Sequence, residues 1–140
     1  MKTKILVTGA SRGIGAAIVE AFDADLFDVD GLCSRDGDLS DPLVPSRVWS
    51  DALERLDGQI DVLINNAGIF DANPLDSAEA DWLESWNRTM QINLTASAAL
   101  CRLAVQLARC PGDGDGKQRL LRIPHGGPRS VAALVVRPRD

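Results

Sequence analysis

Short apolar runs alternate along the chain with longer stretches in which apolar residues recur at helical spacing. The runs are typical of buried strands and lie at Lys4–Val7, Leu26–Cys33 and Asp61–Asn65. The amphipathic stretches predict helices at Ile14–Phe22, Pro42–Leu56 and Ala78–Cys110. Because strands that alternate with helices pair in parallel through crossover connections, the pattern predicts an α/β fold with a parallel sheet.

The segment after the second predicted strand interrupts this alternation. Residues 34–40 are too polar for a buried strand, and Asp28 and Asp30 make Leu26–Cys33 look like an edge strand or a degenerate one. We therefore expect a short or missing segment between the second strand and the second helix.

A glycine-rich segment links the first strand to the first helix. It runs Thr8, Gly9, Ala10, Ser11, Arg12, Gly13, Ile14, Gly15. Gly9 can adopt the backbone angles of a tight turn, Gly13 lets the chain approach a pyrophosphate without an intervening Cβ, and Gly15 permits close packing of helix on strand. The helix that follows would direct its unpaired N–H groups at the phosphates. The segment predicts a binding site for a nucleotide diphosphate, with an ordinary glycine-rich turn as the alternative.

A second motif ends the third predicted strand. The residues Asn65, Asn66, Ala67 and Gly68 follow the apolar run Val62–Ile64. Together with the glycine segment, in this order and each at a strand end, the motif resembles the short-chain dehydrogenase/reductase family. The resemblance implies a Rossmann-like, doubly wound parallel sheet, here truncated, and an NAD(P)(H)-dependent oxidoreductase. It also implies that the asparagine motif supports the central sheet and lies beside the cofactor.

Two further positions fit the resemblance. Asp38 and Leu39 are similar to the family's acidic dipeptide, whose carboxylate accepts a hydrogen bond from the adenine amino group, although they come early in this chain. Asn93 matches the asparagine that holds a water in the family's proton relay, which makes it the candidate catalytic residue. The alternatives are a helix N-cap for Asp38, ahead of a helix start at Asp41 and Pro42, and an exposed polar helical residue for Asn93.

The residues after the second predicted strand bear on the choice of cofactor. An acidic residue there usually binds the ribose 2′-hydroxyl of NAD(H), whereas an arginine accommodates the 2′-phosphate of NADP(H). This chain has Ser34 and Arg35 at that point and a second cation, Arg12, in the glycine segment. We expect NADP(H) to be favoured over NAD(H), with Asp36 as the nearest contrary carboxylate. An ordinary solvated loop charge is the alternative for Arg35.

The acid/base pair that the resemblance implies is missing from this sequence. The resemblance implies hydride transfer between nicotinamide and a carbonyl or alcohol carbon, with a tyrosine as general acid/base, a lysine four residues later and a serine on the substrate oxygen. This sequence contains no tyrosine, and Lys2, Lys4 and Lys117 lie in no suitable motif. Two hypotheses follow: an oxidoreductase of this family that retains the cofactor-binding half, or a catalytically inactive nucleotide-binding fragment or pseudoenzyme.

The chain changes character near residue 111. Residues 1–110 carry 9 basic and 17 acidic side chains, whereas residues 111–140 carry 6 basic and 3 acidic ones together with four of the seven prolines. We expect a partial Rossmann NAD(P)-binding domain over 1–110 and a basic Pro/Gly/Arg-rich tail, poorly ordered, over 111–140. A frameshift or truncation in the gene would produce such a tail, and a natural basic tail on a shortened protein is the alternative.

Charge and composition exclude several partners. The acidic balance of residues 1–110 argues against nucleic acid, and no apolar stretch approaches the roughly 20 residues of a membrane span. The three cysteines have no ligand-type spacing, so we expect reduced thiols and no metal site. Because Met1–Lys4 leads directly into the first strand, we expect no signal peptide and a cytoplasmic location. Because the sheet would end on an uncovered apolar edge, we also expect a homo-oligomer or an aggregate.

Overall fold

The computed structural model describes residues 1–109 and 132–135. The strands are β1 (Thr3–Thr8), β2 (Phe27–Leu32), β3 (Val62–Asn65) and β4 (Ala132–Val135). The helices are α1 (Gly13–Glu20), α2 (Val44–Arg55), α3 (Glu79–Met90) and α4 (Ser97–Arg109), and a π-helical segment, Gln91–Ala96, joins α3 to α4. Both α1 and α2 are shorter than predicted.

The four strands form one sheet in the order β2-β1-β3-β4. The central strand β1 pairs in parallel with β2, where Thr3 is opposite Phe27, and with β3, where Ile5 is opposite Val62. Each of these parallel strands is followed by a helix, as the alternation of patterns predicts. The parallel part of the sheet confirms the predicted α/β fold.

Successive side chains of β1 enter two different cores. Leu6 packs with Leu63 and with residues of α2 and α4, while Ile5 and Val7 pack on the opposite face against α1. All three β1 residues are at most 1% exposed. Helices therefore cover both faces, which is the doubly wound arrangement. The inner residues of β1 and β3 are apolar because neither face of the sheet meets water there.

No strand lies between β2 and α2, as the polar composition of residues 34–40 predicts. The chain instead turns directly onto α2, where a Cβ at Gly37 would lie 2.8 Å from the Arg47 guanidinium and closer still to Val44. With no strand in this connection, β2 lies at the edge of the described sheet. Its acidic side chains Asp28 and Asp30 pair with Lys2 and Arg55, respectively, and charged groups of this kind discourage pairing with another strand.

The predicted long helical region changes geometry part-way along. The expected helical region over Ala78–Cys110 is found from Glu79 to Arg109, and its middle part, Gln91–Ala96, is π-helical. The two α-helical parts also differ in burial: α4 buries Leu100 and Ala104 against the sheet, while α3 buries no residue. No helix in the described part of the chain has the length and apolar character to cross a membrane.

The outer edge of β3 is covered by β4. The two strands run antiparallel, with Val62 opposite Val135 and Asn65 opposite Ala132. The expectation of an edge without a neighbour is therefore wrong over these four residues, because residues from beyond position 111 supply the missing backbone partners. The expectation that 111–140 is poorly ordered otherwise lies outside the described residues.

Candidate nucleotide-binding site

The glycine segment forms a tight loop between β1 and α1. Gly9 and Gly13 have positive φ angles of 68° and 57°, a region that side-chain-bearing residues rarely adopt. A Cβ on Gly15 would overlap the carbonyl oxygen of Gly9, and a Cβ on Gly9 would lie 2.8 Å from Cα of Ala67. Gly9 and Gly15 are thus required by packing within the protein.

Gly13 differs from Gly9 and Gly15, because no neighbouring atom in the described part of the chain packs against it. A Cβ built there has no atom within 4 Å among the described residues, so the space in front of Gly13 is open. The neighbouring residues Ser11, Arg12 and Ile14 are exposed, and Arg12 is the N-cap of α1 without a side-chain capping hydrogen bond. The first N–H groups of a helix lack partners within it and attract anions. The open side of the loop can therefore accept a phosphate group.

Thr8 and Asn66 bind the ends of β1 and β3 to each other. The Thr8 hydroxyl, which is buried, accepts hydrogen bonds of 3.0 Å from the backbone N–H groups of Asn66 and Ala67. In return, the Asn66 side-chain amide donates to the carbonyl oxygens of Thr8 and Gly9, both at 3.1 Å. The asparagine motif thus holds the glycine loop from the neighbouring strand. The Thr8 side chain takes part in this contact, a role that motif spacing alone does not reveal.

Asn65 points away from this loop. Its side chain is buried, and its amide nitrogen lies 3.4 Å from the Ser97 carbonyl oxygen and 3.3 Å from the Cys101 sulfur. Burial of Cys101 raises the pKa of its thiol, since desolvation disfavours the thiolate. Asn65 therefore connects the end of β3 to α4 and contributes to the sheet rather than to the open surface.

Asn93 lies in the π-helical segment, beside the loop that follows Gly68. Its amide oxygen accepts from the Ile69 N–H and its amide nitrogen donates to the Ile69 carbonyl oxygen, both at 2.8 Å. A Cβ on Gly68 would be 3.4 Å from the same amide oxygen. Asn93 is exposed, as the alternative interpretation predicted. Both polar atoms of its side chain are nevertheless hydrogen-bonded to Ile69, and these bonds anchor the loop.

The turn after β2 places Ser34 and Arg35 at the surface. Both are exposed, and Arg35 forms no ion pair with any residue in the described ranges. Asp36 turns back instead: its carboxylate accepts a 2.7 Å hydrogen bond from the Cys33 N–H. That hydrogen bond holds the pKa of Asp36 below its usual value. The contrary carboxylate of the sequence is therefore engaged with its own backbone.

Asp38 and Leu39 follow in the same connection. The Asp38 carboxylate accepts a 2.9 Å hydrogen bond from the Ser40 N–H, which lowers its pKa, and Leu39 is half-buried against the core shared by α2 and α4. The alternative of Asp38 as a helix cap is wrong, because α2 begins at Val44 and its N-cap is Leu43. The Asp38 carboxylate accepts from the Ser40 N–H, which lies four residues before the first residue of α2.

Known proteins of similar sequence identify the family of this chain. A family model described as short chain dehydrogenase matches residues 30–115. The chain belongs to this family. A short-chain dehydrogenase/reductase of Hericium erinaceus is 31% identical over 114 residues, which cover 64% of this chain and 44% of that protein. A D-threitol dehydrogenase of Mycolicibacterium smegmatis is 30% identical, with 69% and 44% covered. This short-chain dehydrogenase chain therefore spans about half the length of these curated relatives.

Solved structures of similar fold contain either nicotinamide cofactor. A blue fluorescent protein from a metagenomic library, in complex with NADPH, has a TM-score of 0.63 and 32% identity over 74% of this chain and 50% of that one. A 4-hydroxyisoleucine dehydrogenase complexed with NADH has a TM-score of 0.62 and 25% identity, over 75% and 49%. These two neighbours therefore hold different nicotinamide dinucleotides, NADPH in one and NADH in the other.

Proposed function

We propose that this chain binds NAD(P)(H) as the cofactor-binding half of a short-chain dehydrogenase-type oxidoreductase. One observation carries the proposal: at the carboxyl ends of β1 and β3, Asn66 and Thr8 hold a glycine loop whose far side is open at Gly13 and faces the start of α1. Ligands of doubly wound sheets bind at this edge. The proposed site consists of Thr8, Gly9, Ser11, Arg12, Gly13, Ile14, Gly15, Ser34, Arg35, Asp38, Leu39, Asn66, Ala67 and Gly68, with Asn65 supporting it from the sheet.

The cofactor preference we propose is for NADP(H) over NAD(H). Arg12 and Arg35 are exposed cations on the loops after β1 and β2, and a guanidinium suits the planar, charged geometry of a phosphate. Asp36, the acidic group that would favour a free ribose hydroxyl, accepts a hydrogen bond from the Cys33 backbone. These contacts support binding of a 2′-phosphate.

For an intact enzyme of this family we propose hydride transfer between a bound nicotinamide and a small carbonyl or alcohol substrate. The cofactor would supply the hydride chemistry. Asn93 is our candidate within the proton relay, where its side chain orients the loop at Ile69. A second candidate function is nucleotide binding without catalysis. It is favoured by the sequence of 140 residues, which contains no tyrosine to act as the general acid/base of the family.

Fluorescence titration of NADPH tests the binding site. We expect Gly13→Val to abolish binding, since its side chain would fill the open space that receives the phosphates. Gly58→Val is the matched control, because Gly58 has a φ of 79°, has no atom within 4 Å of a built Cβ, and lies between α2 and β3 at the other end of the sheet. It should carry the same backbone strain and keep its affinity. Unchanged affinity in Gly13→Val, or equal loss in both variants, would contradict the site.

An activity assay separates the two candidate functions. The chain is incubated with NADPH and a panel of ketones and aldehydes, and NADPH absorbance is followed. Turnover that disappears in Asn93→Ala would favour the oxidoreductase. Cofactor binding without turnover would favour the binding protein, since loss of general acid/base catalysis removes about 10²–10⁴-fold in rate.

We further propose a cytoplasmic protein that forms a homo-oligomer. The large apolar residues Leu83, Trp86, Met90 and Leu94 recur at helical spacing along α3 and the π-helical segment, and all of them are exposed in the described part of the chain. Apolar surfaces of this kind are usually covered by a partner. Light scattering on a gel-filtered sample measures the oligomeric state.

A further inference from the structure

The acidic residue that follows β2 has an unusual position in this chain. A carboxylate at this point of a doubly wound sheet is expected to face the ribose hydroxyls of NAD(H). Here Asp36 folds back on its own strand: its Oδ2 accepts from the Cys33 N–H at 2.7 Å, and its backbone N–H donates to the Cys33 carbonyl oxygen at 3.0 Å. These two hydrogen bonds close the turn Cys33–Asp36 around Ser34 and Arg35.

The closed turn determines where the neighbouring cation lies. Arg35 stands at the outer corner of the turn, exposed, while the Cys33 side chain beside it raises the pKa of the guanidinium. The acidic neighbour does not neutralise it by a direct ion pair, because the Asp36 carboxylate is bound to the Cys33 backbone. The charge of Arg35 is therefore available to a ligand at the end of β2.

We propose that Asp36 is a positioning residue for cofactor preference, which holds the Cys33–Asp36 turn so that Arg35 meets the 2′-phosphate of NADP(H). This inference rests on the proposed function. It assigns Asp36 a role opposite to the one its charge implies, since a carboxylate near a 2′-phosphate would otherwise disfavour NADP(H) through like-charge repulsion. The effect of Asp36 would pass entirely through Arg35.

The test is a set of variants titrated with NADPH and with NADH. We expect Asp36→Ala to weaken NADPH binding about five-fold, the order of one lost hydrogen bond, and to leave NADH binding unchanged. Asp36→Asn keeps an oxygen that can accept from Cys33 and should stay within about two-fold of the original affinity. In a background of Arg35→Ala, Asp36→Ala should have no further effect, because residues that act through each other are not additive.

Asp23→Ala is the matched control. Asp23 makes the same kind of hydrogen bond, from the Asp25 N–H at 2.8 Å, but in the turn that precedes β2 at the opposite end of the strand. It should leave the NADPH/NADH affinity ratio unchanged. Hydrogen exchange of the Cys33 amide supplies a readout without cofactor, since protection should fall in Asp36→Ala and remain in Asp36→Asn.

Three results would overturn the inference while leaving the site intact. Tighter NADPH binding in Asp36→Ala would mean that the carboxylate repels the phosphate, and weaker NADH binding would mean that it contacts the ribose. An equal effect of Asp36→Ala with and without Arg35 would show that the two residues act independently. If the unmodified chain binds neither cofactor, the proposed function falls, and this inference falls with it.

Discussion

The glycine loop after β1 and helix α3 are held in place in contrasting ways. The loop contains few apolar side chains, yet its backbone is fixed by the Thr8 hydroxyl, the Asn66 amide and the closeness of Gly15 to Gly9. Helix α3 contains Trp82, Leu83, Trp86 and Met90 but buries none of its residues. Its two indole rings stack on each other with centroids 5.6 Å apart.

Apolar content therefore does not decide which segment is held firmly in place. The Thr8 hydroxyl at the start of the loop is hydrogen-bonded to Asn66 and Ala67, which lie 58 and 59 positions further along the chain. The conformation of the loop therefore depends on the pairing of distant strands. Helix α3 has no fully buried residue, and its ion pair between Arg88 and Asp71 is exposed, a kind of contact that contributes about 0–1 kcal/mol. Substitutions in the two regions should therefore differ strongly in their effect on stability.

The largest effect is expected for Gly15→Ala. A methyl group there would overlap the Gly9 carbonyl oxygen, which is backbone and cannot rotate away, so we expect a loss of about 3 kcal/mol in the free energy of unfolding. Gly68→Ala is the control, since its Cβ would make an ordinary 3.4 Å contact with Asn93. Urea denaturation measures both. A Gly15→Ala chain as stable as the control would show that the loop can relax.

An intermediate effect is expected for Asn66→Ala. The substitution removes two hydrogen bonds to backbone carbonyls, and at about 1 kcal/mol each we expect a loss near 2 kcal/mol in stability. Asn66→Asp should lose at least as much, because a carboxylate cannot donate to those oxygens. The control is Asn87→Ala on exposed α3, which should change little. Equal losses at positions 66 and 87 would remove the distinction between the two regions.

The smallest effect on stability is expected for Leu83→Gln in α3. Leu83 is 45% exposed and glutamine has a similar helix propensity, so we expect a change within about 0.5 kcal/mol. Its effect should be seen instead in association, as a smaller apparent mass in light scattering at equal concentration. A loss well above 1 kcal/mol with unchanged mass would show that α3 packs within its own chain.

Local patterns predicted much of the fold and part of the site. The apolar runs located β1, β2 and β3, and the polar composition of residues 34–40 predicted the absence of a strand there. The glycine segment was located by motif, and its positive φ angles agree with the turn geometry that glycine permits. The helical region Glu79–Arg109 was also located, but the π-helical geometry of Gln91–Ala96 was not, because this segment has the composition of an ordinary helix.

The α/β alternation, the family motifs and the cations after β1 and β2 could all be predicted from the sequence, since each depends on residue type and spacing over a short stretch. The roles of the polar side chains follow only from the folded chain. Asn66 holds the glycine loop, Asn65 faces α4, and Asp36 turns back on Cys33 although its charge had marked it as a ligand for ribose. The physical reason is that a hydrogen bond requires a partner at about 3 Å in a suitable direction, and the approach of β1 to β3 and the turn after β2 supply those partners only once the chain is folded.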